Sequence, residues 1–203
     1  MRNGDWQFVD LGSGVGRMCI QAAYQWGAAV ATGVELSQSR HEVAVIAAGR
    51  AQRLGLVPKG SRLRFECEDL LLTQSLNAAT TEPPTRTAKT EDNSACKVGV
   101  YVASLLFDPE MMVQLACLLE RSSDVRWVAT LQRLPLQRLR RPAPLHQPLR
   151  LDAVLSLPMS WDDEGVTEVY LYLRGVDGSL TESQEAVAAK SAEEADVRAH
   201  FAR

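Results

Sequence analysis

Apolar positions along the chain come in short runs whose period switches between that of a strand and that of a helix. Gln7-Phe8-Val9-Asp10-Leu11 predicts a short buried strand, and Gly12 to Gly16 a tight loop. A helix is expected from Arg17 to Trp26, stopped by Gly27. Ala29 to Glu35 predicts a second strand; Ser37 then caps a long helix from Ser39 to Leu54, and Gly55 supplies its stop. From Arg62 to Cys67 polar and apolar residues alternate, with Leu63, Phe65 and Cys67 on one face, as in a strand. Strands and helices in alternation imply crossovers and a parallel sheet.

Residues 78–97 break this pattern. They hold Pro83-Pro84 and many Thr, Ser and charged residues but no large apolar side chain, and they are expected to form a disordered insertion. Val98 to Ala103 is apolar enough for a strand buried on both faces. Asp108-Pro109-Glu110 predicts a helix start, with Asp as N-cap, Pro in the first helical position and Glu in the first turn. Met111, Met112, Leu115, Leu118 and Leu119 come next at helical spacing and form its core stripe. Val125 to Leu131 is a further strand. The segment from Gln132 to Arg150 holds Pro135, Pro142, Pro144 and Pro148, so no regular crossover helix is expected there. Leu151 to Leu157 and Glu168 to Arg174 are the last strands, joined through Pro158-Met159-Ser160-Trp161. With no helix between them they predict an antiparallel hairpin at the sheet edge. The picture is one domain over residues 1–178 and a helical tail over 179–203, opened by a Thr181/Gln184 capping box.

Composition narrows the function classes. The 203 residues are 46% hydrophobic and 23% charged, with a formal net charge of −3, so the whole-chain charge gives no argument for nucleic acid. A local patch exists in Arg133, Arg138, Arg140, Arg141 and Arg150, with no acid between residues 132 and 150. It reads either as a weak nucleic-acid contact through phosphates or as a solvated loop whose leucines pack on the sheet. Cys19, Cys67, Cys96 and Cys117 are scattered, without a C-x-x-C pair, and predict mostly buried, reduced thiols in a nuclear or cytoplasmic protein and no metal site. The N-terminus carries no signal-peptide core, and no run reaches the ~20 apolar residues of a spanning helix, so a soluble protein without a membrane partner is expected. The pattern carries no sign of an oligomeric state.

The chemistry concentrates in Val9-Asp10-Leu11-Gly12-Ser13-Gly14-Val15-Gly16. Alternate glycines after a strand let the backbone approach a ligand, and the helix behind them points free N–H groups at the loop. A dinucleotide loop would continue G-x-G-x-x-G, but Arg17 stands at its third position, and Asp10 suits a diphosphate poorly. The acid-x-Gly-x-Gly-x-Gly pattern instead resembles the first motif of the class I S-adenosylmethionine-dependent methyltransferases. That resemblance implies a Rossmann-like α/β fold with a mostly parallel seven-stranded sheet and S-adenosylmethionine as cofactor. It places Asp10, Gly12, Ser13, Gly14 and Gly16 beside the methionine part, Glu35 on the ribose, and Asp69 with Leu70 at the adenine. Asp69 also reads simply as a helix cap.

A narrower resemblance rests on Phe8 to Gly16, Gly33-Val34-Glu35, Phe107-Asp108-Pro109-Glu110, Leu134-Pro135-Leu136, Ser160-Trp161 and Val169-Tyr170-Leu171. In this order they resemble the Dot-one-like (disruptor of telomeric silencing) non-SET histone-lysine methyltransferases. This implies transfer of a methyl group to a lysine amine of a nucleosomal histone, with Ser104, Trp161 and Tyr170 lining the acceptor channel. The chain departs from that family at Ala103-Ser104, where paired asparagines are expected, and at Val169, where a channel tyrosine is expected. The family's Tyr-Gly-Glu segment, expected ahead of the first strand, is not in the sequence. Two other readings stay open: a class I enzyme with another protein or small-molecule acceptor, and a truncated, inactive methyltransferase-like module. The lack of an Asp-Pro-Pro-Tyr or Asn-Pro-Pro-Tyr run after the fourth strand argues against methylation of base amines.

Overall fold

A computed structural model describes residues 6–77, 97–139, 147–158 and 165–175. Strands β1 (Trp6–Leu11), β2 (Val30–Glu35), β3 (Arg62–Cys67), β4 (Lys97–Val102), β5 (Val125–Thr130), β6 (Leu149–Pro158) and β7 (Val166–Arg174) make one sheet in the order β3-β2-β1-β4-β5-β7-β6. The first five pair in parallel, whereas β7 runs antiparallel to both β5 and β6. This is the expected Rossmann-like architecture with its antiparallel edge hairpin. The β6 strand begins at Leu149, directly after Pro148 and two residues earlier than expected, so Arg150 of the arginine-rich segment lies within it. The insertion (78–96), Arg140 and Arg141, the 159–164 turn with Trp161, and the tail from 176 onward lie outside the described residues.

Helices α1 (Arg17–Gln25) and α2 (Gln38–Arg53) cover one face of the sheet and α3 (Pro109–Arg121) the other. Alternation along the strands sorts the core accordingly. Trp6 and Phe8 pack with Cys19, Ala22 and Ala23 of α1, while Val9, Leu11, Val100, Val102 and Val128 pack with Met112, Leu115 and Leu119 of α3. Fully buried side chains of this kind stabilise the fold by roughly 1.5–3 kcal/mol each. The start of α3 forms as its sequence dictates: Asp108 Oδ1 accepts the Met111 N–H at 2.8 Å, with Pro109 in the first helical position. Ser37 stands at the N-cap position of α2 but makes no side-chain cap; its Oγ lies 3.2 Å from that of Ser39. Its main-chain N–H is drawn instead to Glu35 Oε1.

Between β5 and β6 the described residues contain a single 3-10 turn, Leu136–Arg138, in place of a crossover helix. The hairpin is therefore fixed by β7 itself. Tyr170, Tyr172 and Arg174 alternate onto the α3 face. Arg174, 2% exposed, donates to the carbonyls of Val125, Gln147 and Leu119 at 3.0, 2.8 and 2.7 Å. Its guanidinium thus satisfies the orphan carbonyls at the end of α3 and the start of β5. Tyr172 is fully buried and its hydroxyl accepts the Leu134 N–H at 2.7 Å, which holds the proline-containing loop onto the sheet.

Candidate functional site

The carboxyl ends of the parallel strands share one edge, and there the sequence's candidate residues converge. Asp10 on β1 lies opposite Gly33 of β2 and Tyr101 of β4. Beyond Leu11 the chain turns through Gly12, Gly14 and Gly16 with φ of 82°, 54° and 80°, left-handed values that a side chain resists. The loop is stitched to β2: Gly12 and Ser13 both donate to the Val34 carbonyl, at 2.8 and 3.0 Å. A Cβ built on Gly12 or Gly14 would meet nothing within 4 Å, so their alpha carbons border open space. Gly16 serves packing instead, since a Cβ there would come within 2.6 Å of the Phe65 ring.

Glu35 closes β2 and is 4% exposed. Its Oε2 accepts the Gly14 N–H at 2.9 Å, and its Oε1 accepts the Ser37 N–H at 2.8 Å and meets Arg40 Nη2 at 3.0 Å. Asp10 is in the opposite situation. It is 2% exposed, and its Oδ1 has no hydrogen-bond partner among the described residues. Burial, with a smaller contribution from the Glu35 charge, pushes its carboxyl up to about 7. The same burial, reinforced by Asp10, raises the Cys19 thiol and the Tyr101 hydroxyl. Ser13 Oγ is likewise buried without a partner.

Asp69 does not cap a helix. The residues after it turn, and its Oδ1 accepts the Leu71 N–H at 2.9 Å in an Asx-turn. Leu70 is buried in the α3-side core with Leu76. Glu66 fixes the rest of this loop, its Oε2 accepting the Ser75 hydroxyl at 2.7 Å.

On the acceptor side, Ser104 is fully buried and its Oγ accepts the Gln132 N–H at 3.0 Å. Its hydroxyl is engaged between the ends of β4 and β5 rather than presented to an open channel. Gln132 completes that tie, its Nε2 donating to the carbonyls of Ser104, Leu105 and Phe107 at 2.6, 2.9 and 3.1 Å. Tyr170, opposite Thr130 at the carboxyl end of β5, is half-buried, and its hydroxyl donates to Glu168. That bond is the main cause of its raised pKa, with burial and the Glu168 charge adding to it and Arg133 opposing. A cleft of about 280 Å³ opens between the start of α3 and the Gln132–Arg138 turn, bordered by Met112, Gln132, Arg133 and Arg138. Sequence reasoning missed Gln132 and Arg40. A carbonyl-bridging glutamine has no local signature, and only the position of Arg40 in the first turn of α2, five residues after Glu35, hinted at its pairing.

Of the thiols, Cys19 is buried, but Cys67 is exposed at the end of β3, where its Sγ lies 3.0 Å from Gln38 Oε1. Among the described residues no cluster of His, Cys, Asp and Glu could hold a metal, and no helix is long and apolar enough to cross a membrane.

The fold is that of the class I S-adenosylmethionine-dependent methyltransferases. The putative methyltransferase yhhF from Escherichia coli superposes with a TM-score of 0.51 at 15% identity, over 87% of this chain and 81% of that one. A S-adenosylmethionine-dependent methyltransferase from Methanosarcina mazei does so at 0.51 and 14%, over 87% and 95%. TrmK from M. capricolum, in complex with S-adenosyl-homocysteine, gives 0.51 at 10%, over 87% and 68%. The model of the family described as histone methylation protein DOT1 matches residues 2–57, the segment that holds β1, the glycine loop, β2 and α2. No curated protein matches the chain.

Proposed function

We propose that this chain binds S-adenosylmethionine at the glycine-lined edge of the sheet and transfers its methyl group to a protein lysine, with a nucleosomal histone as the substrate. The observation that carries the cofactor reading is the pairing of two buried carboxylates, Asp10 and Glu35, around a loop whose glycines leave open space. The donor set fits this cofactor. An orphaned acidic oxygen and an orphaned hydroxyl, Asp10 Oδ1 and Ser13 Oγ, suit a cationic amino-acid moiety, whereas a diphosphate would be repelled. Glu35 retains acceptor capacity on Oε2 for a ribose hydroxyl. Asp69, in the turn after β3, is assigned to the adenine side.

Bound there, the cofactor supplies a methyl group on a cationic sulfur, open to in-line attack by a neutral amine. The protein's part is positioning and the exclusion of water. Gln132 and Ser104 fix the turn after β4 that borders the methyl side, and Tyr170 with Glu168 offers a polar pair at the same edge. Trp161, Tyr170 and Ser104 remain the residues assigned to the acceptor side, Ser104 through its hold on Gln132. Arg133 and Arg138, exposed on the rim of the neighbouring cleft, suit an acidic or phosphate-bearing surface of the substrate.

The histone acceptor draws its support from the DOT1 model match over residues 2–57. Methyl transfer from labelled S-adenosylmethionine to nucleosomes, free histones and structured RNA tests it. Label on histone lysine from nucleosomes is expected. Label on RNA alone overturns the acceptor, and no label despite cofactor binding favours an inactive module.

A further inference from the structure

Asp10 is a buried acid without a countercharge. Glu35 faces it from β2, Cys19 from α1 and Tyr101 from β4: one further carboxylate and two weak acids. Arg40 of α2 is bonded to Glu35, and among the described residues no ion pair reaches Asp10. With 2% exposure and an Oδ1 that finds no hydrogen-bond partner among the described residues, an ionised Asp10 is poorly stabilised there. The open space over Gly12 and Gly14 lies just beyond it along the chain.

From this geometry we infer that Asp10 is protonated in the free protein and ionises when a ligand ammonium docks, so that binding releases a proton and the cleft selects ligands carrying a cation at that point. The inference rests on the cofactor reading above. The Asp10 O–H bond breaks with its electron pair left on the carboxylate, the proton passes to buffer, and the ligand's ammonium keeps its own protons. The carboxyl's displacement to about 7 places the exchange near neutrality. Apparent affinity then weakens about tenfold for each pH unit below that point and is flat above it until the ligand's own amine begins to lose its proton.

The test is calorimetric titration with S-adenosylhomocysteine in pairs of buffers of different ionisation enthalpy. Release of close to one proton at about pH 6, giving way at about pH 8.5 to no release or to uptake as the ligand's neutral amine is protonated, is expected. 5′-Methylthioadenosine, which has the adenosyl thioether but no amino-acid moiety, should bind with no release at either pH. Asp10→Asn should abolish the release for S-adenosylhomocysteine, whereas His41→Gln on α2 should leave it intact. Tight binding of S-adenosylhomocysteine with no release at either pH overturns the inference and leaves the cofactor site standing, as does release that persists in Asp10→Asn. Failure of both ligands to bind at any pH overturns the cofactor reading itself. The parent's proton count and the methylthioadenosine comparison decide the matter even if Asp10→Asn does not fold.

Discussion

Glu35 Oε2 accepts the main-chain N–H of Gly14 at 2.9 Å, across 21 residues of sequence. This bond joins the end of β2 to the middle of the glycine loop, so the carboxylate expected to meet a ribose also sets the curvature of the loop expected to meet the methionine. The two halves of the cleft are mechanically one unit. A change in either should be felt in both.

Gly14→Val puts a β-branched side chain at φ 54° and into the open space over the loop. The strain costs roughly 1–2 kcal/mol, which for a chain of this size lowers Tm by about 2–8 °C. The variant is therefore expected to fold, with unchanged circular dichroism, and to lose cofactor binding in a calorimetric titration. Parent-like binding would move the ligand away from this loop.

Asp10 gives a stability signature in the ligand-free protein. Its folded pKa is about 7 against 3.8 for the ordinary group, so between these values the folded chain binds the extra proton. Raising pH through this window therefore costs stability, at most about 1.4 kcal/mol per pH unit, and the loss is complete above it. Asp10→Asn removes the slope. Melting curves across the window should show the variant gaining on the parent as pH rises; a parallel pair of curves would contradict it.

Much of this cleft was legible in the sequence because its signals are local. The glycine spacing, the acid before it and Glu35 at the end of the next apolar run fall within the first 35 residues, and each is a backbone or strand-end requirement. The prolines after Gln132 likewise announced that the described residues between β5 and β6 hold no crossover helix. The acceptor side was harder to read. Ser104 bonds a main-chain N–H 28 residues away, and Asp69 closes an Asx-turn rather than capping a helix because the chain beyond Leu71 turns again instead of coiling. Arg174 looked like the end of a strand, yet it is buried among carbonyls contributed by α3, β5 and Gln147.

Arg174→Met leaves those carbonyls in an apolar setting. Loss of several charge-assisted bonds of about 1.5–3 kcal/mol each should severely destabilise the hairpin. Denaturant unfolding reads the loss. Because Arg174 lies at the strand ends opposite the glycine loop, residual folded protein should keep its cofactor affinity.

Gln132→Ala removes three side-chain bonds to carbonyls of the 104–107 turn while leaving the ends of β1 and β2 untouched. Cofactor affinity should stay within about threefold, as for a site with no shared partner. Methyl transfer should fall by about 10- to 100-fold through loss of acceptor positioning. Steady-state kinetics beside direct binding separate the two, and a fall in both together would place Gln132 in the general fold rather than on the acceptor side.

The central claim is that Glu35 and the glycine loop together hold an adenosyl ligand. Titration of S-adenosylhomocysteine into the parent, Glu35→Ala and Arg40→Ala tests it most directly. Loss of the carboxylate should weaken binding by about 10- to 100-fold, whereas removal of its exposed arginine should change affinity by no more than about fivefold. A folded Glu35→Ala protein that binds as tightly as the parent would contradict the account.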